Sequence, residues 1–334
     1  MIGRSRSLCV LVLCLLYCTS CSPVIGNQVG EAEEEQVRIN RIVEEAKRIP
    51  NSTKWFEVLR LPNRVYAFWE PGHAEKVNSF LVIGRERDLL YDTGMGIASI
   101  ARAIHEVRAM EGLPQHEIMV VNSHNHLDHN GGNQEFDTIW TVDDPWALNR
   151  LAVGVPATPD SVFVGYWAAL TPHKGVVPPA SFSPDTHAIP PFDLVGVRFL
   201  EDGQLVDLGD RAFRVIRTYS HSPDGVALHS DNAAAGEAMF FGGDAFYGAD
   251  YLVTDLALLA SDLQRIQPLR IDWHYTSHGA QLLVAMQQGA HLAAVERLIA
   301  GEGQSGTTQL AGLTFPLREI DSVRVTLAKD FLLY

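Results

Sequence analysis

Beyond residue 21 the chain has no cysteine. All four, Cys9, Cys14, Cys18 and Cys21, crowd into the first 21 of 334 residues. Disulfides and thiolate metal ligands are thereby excluded from the body of the protein, and any metal held there is held by nitrogen and oxygen. Positive charge is also short. Lys and Arg number 26 against 40 Asp and Glu, a formal net charge of −14. No run of Lys or Arg offsets it. A nucleic-acid backbone is repelled by such a surface, so no nucleic-acid partner is expected and a small molecule is the expected substrate. Long apolar runs are scarce as well. LCVLVLCLLYC near the N-terminus stands out, and it is too short for a comfortable membrane span.

That run follows Arg4 and Arg6 and precedes the small polar Thr19 and Ser20. This is the pattern of an export signal over residues 1–20. Cys21, behind Cys-Thr-Ser, resembles a bacterial lipoprotein cleavage box with an atypical first position. The expectation is an exported protein: a periplasmic or outer-membrane lipoprotein, attached through lipid on Cys21, if the host is bacterial, and secreted otherwise. Ordinary cleavage nearby is the alternative. Residues 21–54 read as a tether and a short helix, with Val37, Ile39, Ile42, Val43 and Ala46 at helical spacing up to Pro50.

From residue 55 the pattern changes. Strand-like stretches cover 55–61, 64–70, 77–84 and 88–94, separated by Pro-Asn, Pro-Gly and Gly turns. Residues 97–112 have a helical period ending at Gly112, and 116–122 is a buried strand. The second half repeats the theme with strands at 205–210, 212–220, 225–230 and 238–246 and a long helix over roughly 281–300. One domain over 55–334 follows. Residues 143–200 are rich in proline and aromatics (Trp146, Phe163, Tyr166, Trp167, Phe182, Phe192) and read as an insertion over one end of the core.

The chemistry starts at 120–133, VVNSHNHLDHNGGN. His124 and His126 alternate in an extended segment, so both imidazoles can reach one ion. Asp128 and His129 come as the chain bends and aim at a second point nearby. Gly131 and Gly132 allow the turn. Imidazole with carboxylate suits zinc, with manganese or iron as alternatives. Three later residues sit at the ends of strand-like runs: His221, Asp244 and His278. His229 reads as core or cross-strand, His274 as a weaker neighbour of His278, and His73, His105, His116, His173, His187 and His291 as surface or loop residues.

In order and placement these pieces resemble the metallo-β-lactamase superfamily: Asp92-Thr93-Gly94, His124-Asn125-His126-Leu127-Asp128-His129, His221 in YSHSPDGVAL, Asp244 in FFGGDAFY, and His278 in SHG. The resemblance covers roughly 55–300. It implies an α/β fold, a four-layer αββα sandwich of two mixed sheets flanked by helices. It also implies a site for two divalent ions, zinc first. One ion would take His124, His126 and His221, and the other Asp128, His129 and His278. Asp244 would bridge them and Asp92 would orient a ligand from behind. A hydroxide between the two ions would then hydrolyse an ester-like bond, a lactone or carboxylic ester first. Asp128 would steer a proton to the leaving group, and Tyr247, in D-A-F-Y as in acyl-homoserine lactonases, would donate to the oxyanion. The alternatives are a glyoxalase II-type thioesterase, a β-lactamase and a mononuclear iron persulfide dioxygenase. Aspartate at the bridging position, where metallo-β-lactamases proper resemble Cys or Ser, disfavours the β-lactamase.

Overall fold

The computed structural model describes residues 23–157, 162–232, 237–246, 248–283, 288–310 and 313–328. The expected export signal, Cys21 and Tyr247 lie outside the described residues.

Strand formation follows from the alternation of apolar side chains. In the first sheet, Val58, Leu81 and Leu90 enter one core, while their neighbours Leu59, Val82 and Leu89 enter another. Successive side chains of a strand point to opposite faces, so each strand feeds both cores. This sheet has eight strands, paired in chain order from Lys47–Ile49 to Val197–Phe199. The first five strands form an antiparallel meander ending at Asp88–Tyr91. The rest, Ile118–Val121, Ile139–Thr141 and Val197–Phe199, join in parallel. Parallel pairing requires a crossover, supplied first by the helix Ile100–Glu111. Ser99 caps that helix by accepting from Arg102 N, and Gly112 ends it at φ 63°. Its Ile100, Ile104 and Val107 seal the outer core.

On the inner face, Phe80, Val82, Leu89 and Val121 meet Phe213, Val215, Leu228, Met239 and Phe241 of a second, six-stranded mixed sheet. The far side of that sheet, with Ala227 and Phe240, is covered by Leu259 and Leu263 of the helix Leu256–Ile266 and by Val295 and Leu298 of Gln288–Ile299. The layers are therefore helix, sheet, sheet, helix, the expected αββα sandwich. Each fully buried Leu, Val or Phe contributes about 1.5–3 kcal/mol.

Several details differ from the reading of the sequence. A third sheet, built from Asp250–Val253, Val323–Leu327, Leu313–Ile320 and Gln304–Leu310, joins the core between the second sheet and these two helices through Tyr251, Val253, Val323 and Val325. The N-terminal helix spans Pro23–Glu45, longer than a short helix after a tether. Its Ile39 is buried against the second core, with Ile42 and Val43 half-buried beside it. Within 143–200, helices form at Pro145–Val153 and Val162–Trp167, and Val197–Phe199 becomes an edge strand. Only Val197 of those three is buried, so no alternation marks it. The aromatics of this segment are largely packing residues: Trp167 and Phe192 are buried in the outer core, with Phe163, Tyr166 and Phe182 against it. Among the described residues, no helix is long and apolar enough to cross a membrane.

Candidate metal centre

Asp92, the 124–129 motif, His221, Asp244 and His278 each follow a strand: Asp88–Tyr91, Ile118–Val121, Ala212–Thr218, Glu237–Phe241 and Trp273–Tyr275. The two sheets deliver these strand ends to one edge of the sandwich. There His124, His126 and His221 place ligand atoms within 4.8 Å of one another, as do His124, His129 and Asp244, and Asp128, His129 and His278. The inner nitrogens approach closely: His124 Nε2 to His126 Nδ1 2.8 Å, His221 Nε2 to His126 Nδ1 3.1 Å, His129 Nε2 to His278 Nε2 3.2 Å. Asp244 stands between the groups. Its Oδ2 lies 3.6 Å from His221 Nε2 and 3.0 Å from His278 Nε2, and its Oδ1 is 3.4 Å from His129 Nε2. Asp128 Oδ2 is 3.4 Å from His129 Nε2 and 3.7 Å from His278 Nε2.

The opposite nitrogens are engaged elsewhere. His221 Nδ1 donates to Leu252 O and His278 Nδ1 to Glu75 O, both at 2.8 Å. His129 Nδ1 donates to Asp92 Oδ2 at 3.0 Å, and His124 Nδ1 pairs with Ser123 Oγ at 2.9 Å. A ring that donates from one nitrogen offers a lone pair at the other, which fixes the tautomer and aims the ring. These residues therefore fit a pair of divalent ions: five imidazoles and two carboxylates, buried, with inner nitrogens converging in two overlapping groups.

The charges of the site divide in the same way. Burial pushes His124 and His126 well below the ordinary imidazole range, with neighbouring imidazoles adding to it, and burial also lowers His221. These three stay neutral, as ligands must be. Burial acts against the charge of His129 too, but Asp244, Asp128 and Asp92 hold it well above its ordinary value. His278 is likewise opposed by burial and raised, chiefly by Asp244, to about 9. For Asp128 and Asp244 burial favours the acid form, yet the facing His129 and His278 keep both below the carboxylate range.

Local folding holds the motif in place. Asp92 has φ 67°, a left-handed conformation uncommon for a residue with a Cβ. It is held there from two sides, since Ser123 N donates to Oδ1 at 2.6 Å while His129 takes Oδ2. Thr93 N donates to His129 O at 2.8 Å, and Gly131 N to Gly94 O at 2.8 Å. Gly131 is needed for that approach, because a Cβ on it would lie 2.3 Å from the Met95 carbonyl carbon. Behind His221, Asp262 Oδ2 accepts from Tyr219 N and Ser220 N, both at 2.8 Å.

The Metallo-beta-lactamase superfamily profile matches residues 74–299. The chain belongs to this superfamily. It is 24% identical to the acyl-coenzyme A thioesterase MBLAC2 of Gallus gallus over 253 residues, 70% of this chain and 85% of that protein. With the MBLAC2 thioesterase of Homo sapiens it shares 28% over 189 residues, 54% of this chain and 61% of that one. A beta-lactamase domain protein from Burkholderia ambifaria has the same fold at a TM-score of 0.50 and 18% identity, over 76% of this chain and 79% of that structure. The protein is thus a metallo-beta-lactamase superfamily hydrolase, with His/Asp groups of the kind that bind divalent metal.

The superfamily member brings together all seven residues expected from the sequence as ligands, with Asp92 behind His129. Several neighbours went unread. His73 is buried rather than a surface residue, its Nε2 donating to Tyr166 O at 2.8 Å; the insertion covers it. Glu70 is fully buried under the Asp92–Gly94 turn, accepts from Trp55 Nε1 and, at 2.9 Å, from Met95 N, and is pushed up by burial to about 7. Asp224, Arg150 and Trp146 also lean on the motif. The only signal for Asp224 was its place in YSHSPDGVAL.

Proposed function

We propose that this hydrolase holds two zinc ions and cleaves an acyl thioester. The observation that carries the reading is the position of Asp244, whose two oxygens face His221 and His278 on one side and His129 on the other. His124, His126 and His221 would hold one ion, Asp128, His129 and His278 the other, and Asp244 both. Two such ions supply an activated water nucleophile at neutral pH and polarise the carbonyl. The chain does the rest. Asp92, Ser123, Leu252 O and Glu75 O aim the imidazoles. Asp128, kept ionised by His129 despite its burial, is placed to hold the attacking water's proton at Oδ2 and pass it to the leaving sulfur or oxygen. The aromatic insertion shields the edge from bulk water. Tyr247, three residues beyond Asp244, is proposed as donor to the developing oxyanion. Tyr166 is a second candidate: burial first, then Asp128 and Glu75, push its hydroxyl well above the ordinary range, so it remains a donor.

The thioester is favoured by the relatives named above. A carboxylic ester or lactone is the second reading, favoured by the leader-like residues 1–20, which would take the chain away from cytosolic thioesters. Mass spectrometry of the mature N-terminus tests export and the proposed lipid on Cys21. For the substrate, the zinc-loaded protein is assayed on an acyl-coenzyme A thioester, a simple acyl thioester, a lactone, a carboxylic ester and a chromogenic β-lactam. The expected order places a thioester first and the β-lactam last. Preferential turnover of the β-lactam contradicts the proposal, and so does a single iron with oxygen uptake on a persulfide.

A further inference from the structure

The peptide unit of Asn125, between the two histidines of His124-Asn125-His126, is gripped from four directions. Its N–H and its side-chain Nδ2 both donate to Asp224 Oδ2, each at 2.8 Å. Nδ2 also donates to Thr141 Oγ1 at 3.0 Å. Its carbonyl oxygen accepts from Arg150 Nε at 3.0 Å and from Asn130 Nδ2 at 3.2 Å. Asn125 and Asp224 are completely buried. The groups come from distant elements: Asp224 from the loop after Ala212–Thr218 and Arg150 from the insertion helix Pro145–Val153. That helix touches the motif a second time, its Trp146 ring lying edge-on to His126 with centroids 5.4 Å apart. Arg150 in turn lies over Trp146 at 4.9 Å.

None of these groups is among the residues whose ligand atoms converge. Yet the two peptide planes flanking Asn125 determine how far apart the His124 and His126 rings stand and how they tilt. A buried carboxylate that accepts two N–H groups from one residue at a single oxygen locks that residue's backbone relative to its own side chain.

We propose that Asp224 and Arg150 are positioning residues that set the geometry of the three-histidine ion site by clamping Asn125, and that through Arg150 the insertion is tied to that site. This rests on the dinuclear reading above. Supporting it, burial raises the Asp224 carboxyl to about 6; the fold therefore keeps a buried carboxylate at a cost in solvation, and its Oδ2 takes both N–H groups of Asn125.

The test uses the full chain loaded with cobalt(II), whose visible spectrum reports ligand geometry, together with zinc affinity by competition with a chromogenic chelator. In Asp224→Ala the tighter zinc affinity is expected to fall by about 10–100-fold, with a changed cobalt spectrum. Asp224→Asn keeps an oxygen acceptor at the Oδ2 position and is expected to restore most of the affinity and the spectrum. Arg150→Met is expected to shift the spectrum in the same direction by less. If Asp224→Ala does not fold, Arg150→Met decides alone, and an unshifted spectrum overturns the clamp. Wild-type affinity and spectrum in folded Asp224→Ala overturn it, as does Asp224→Asn as impaired as the alanine variant. A wild-type protein that takes up no cobalt overturns the dinuclear reading itself, whereas wild type with both ions and indistinguishable variants overturns only the clamp.

Discussion

Asp92 is completely buried behind His129, yet much of the site leans on it. It holds the tautomer of His129 and the backbone of Ser123 while its own backbone stays in the left-handed region. Asp92→Ala is predicted to weaken metal binding by about 10–100-fold, the usual loss when an outer hydrogen-bond partner of a ligand is removed, measured by chelator competition at constant fold. For the tyrosines, the more important donor should show a fall in kcat when changed to Phe, with metal content unchanged. An unaltered kcat in both Tyr166→Phe and Tyr247→Phe would remove tyrosine from the reaction. The candidate ligands were legible as a group because their chemistry is compressed: four of the seven lie between His124 and His129. Asp224, Glu70 and Arg150 were not. A buried carboxylate declares itself only through its partner, and Asp224 meets Asn125 across 99 positions of sequence.

The strands and helices were legible where period and punctuation agreed. Residues 97–112 show it, with an apolar stripe, Ser99 to start and Gly112 to stop, and the helix formed at Ile100–Glu111. Where an element is short the period vanishes, as at Val197–Phe199. The helix Ile100–Glu111 is fastened to its sheet by more than apolar contact. Arg108, 5% exposed, pairs with the fully buried Asp88, whose Oδ1 also accepts from Gly84 N at 3.1 Å. Removing one member of a buried pair strands the other charge. Arg108→Ala is therefore predicted to cost about 3–5 kcal/mol in chemical denaturation. Asp88→Asn combined with Arg108→Met should cost less than the single change, because neither charge is left alone.

Stability of the whole molecule carries a pH signature separate from the metal centre. His274 is completely buried at the parallel pairing of Trp273–Tyr275 with Glu237–Phe241, and its Nε2 donates to Phe246 O at 2.8 Å. Burial lowers it from an ordinary 6.5 to about 4. The neutral ring is thus favoured in the fold, while the unfolded chain takes up the proton more readily. The associated stability is complete above pH 6.5 and is lost as pH falls through about 4, of order 3 kcal/mol in all. His274→Gln should flatten the denaturation midpoint against pH across that window, and an unchanged slope would contradict the assignment. At the same scale, the third sheet and the long N-terminal helix were the least legible parts of the fold. Both attach to cores assembled from segments far apart in the chain, and local period does not report such attachments.

The proposed dinuclear centre sharing Asp244 is tested most directly by titrating zinc into metal-stripped protein while following hydrolysis of an acyl thioester. Uptake of about two ions per chain, with Asp244→Ala losing both the second equivalent and the activity, is the predicted result. Full activity at one equivalent, or an Asp244→Ala variant that still takes two ions and turns over normally, would contradict it.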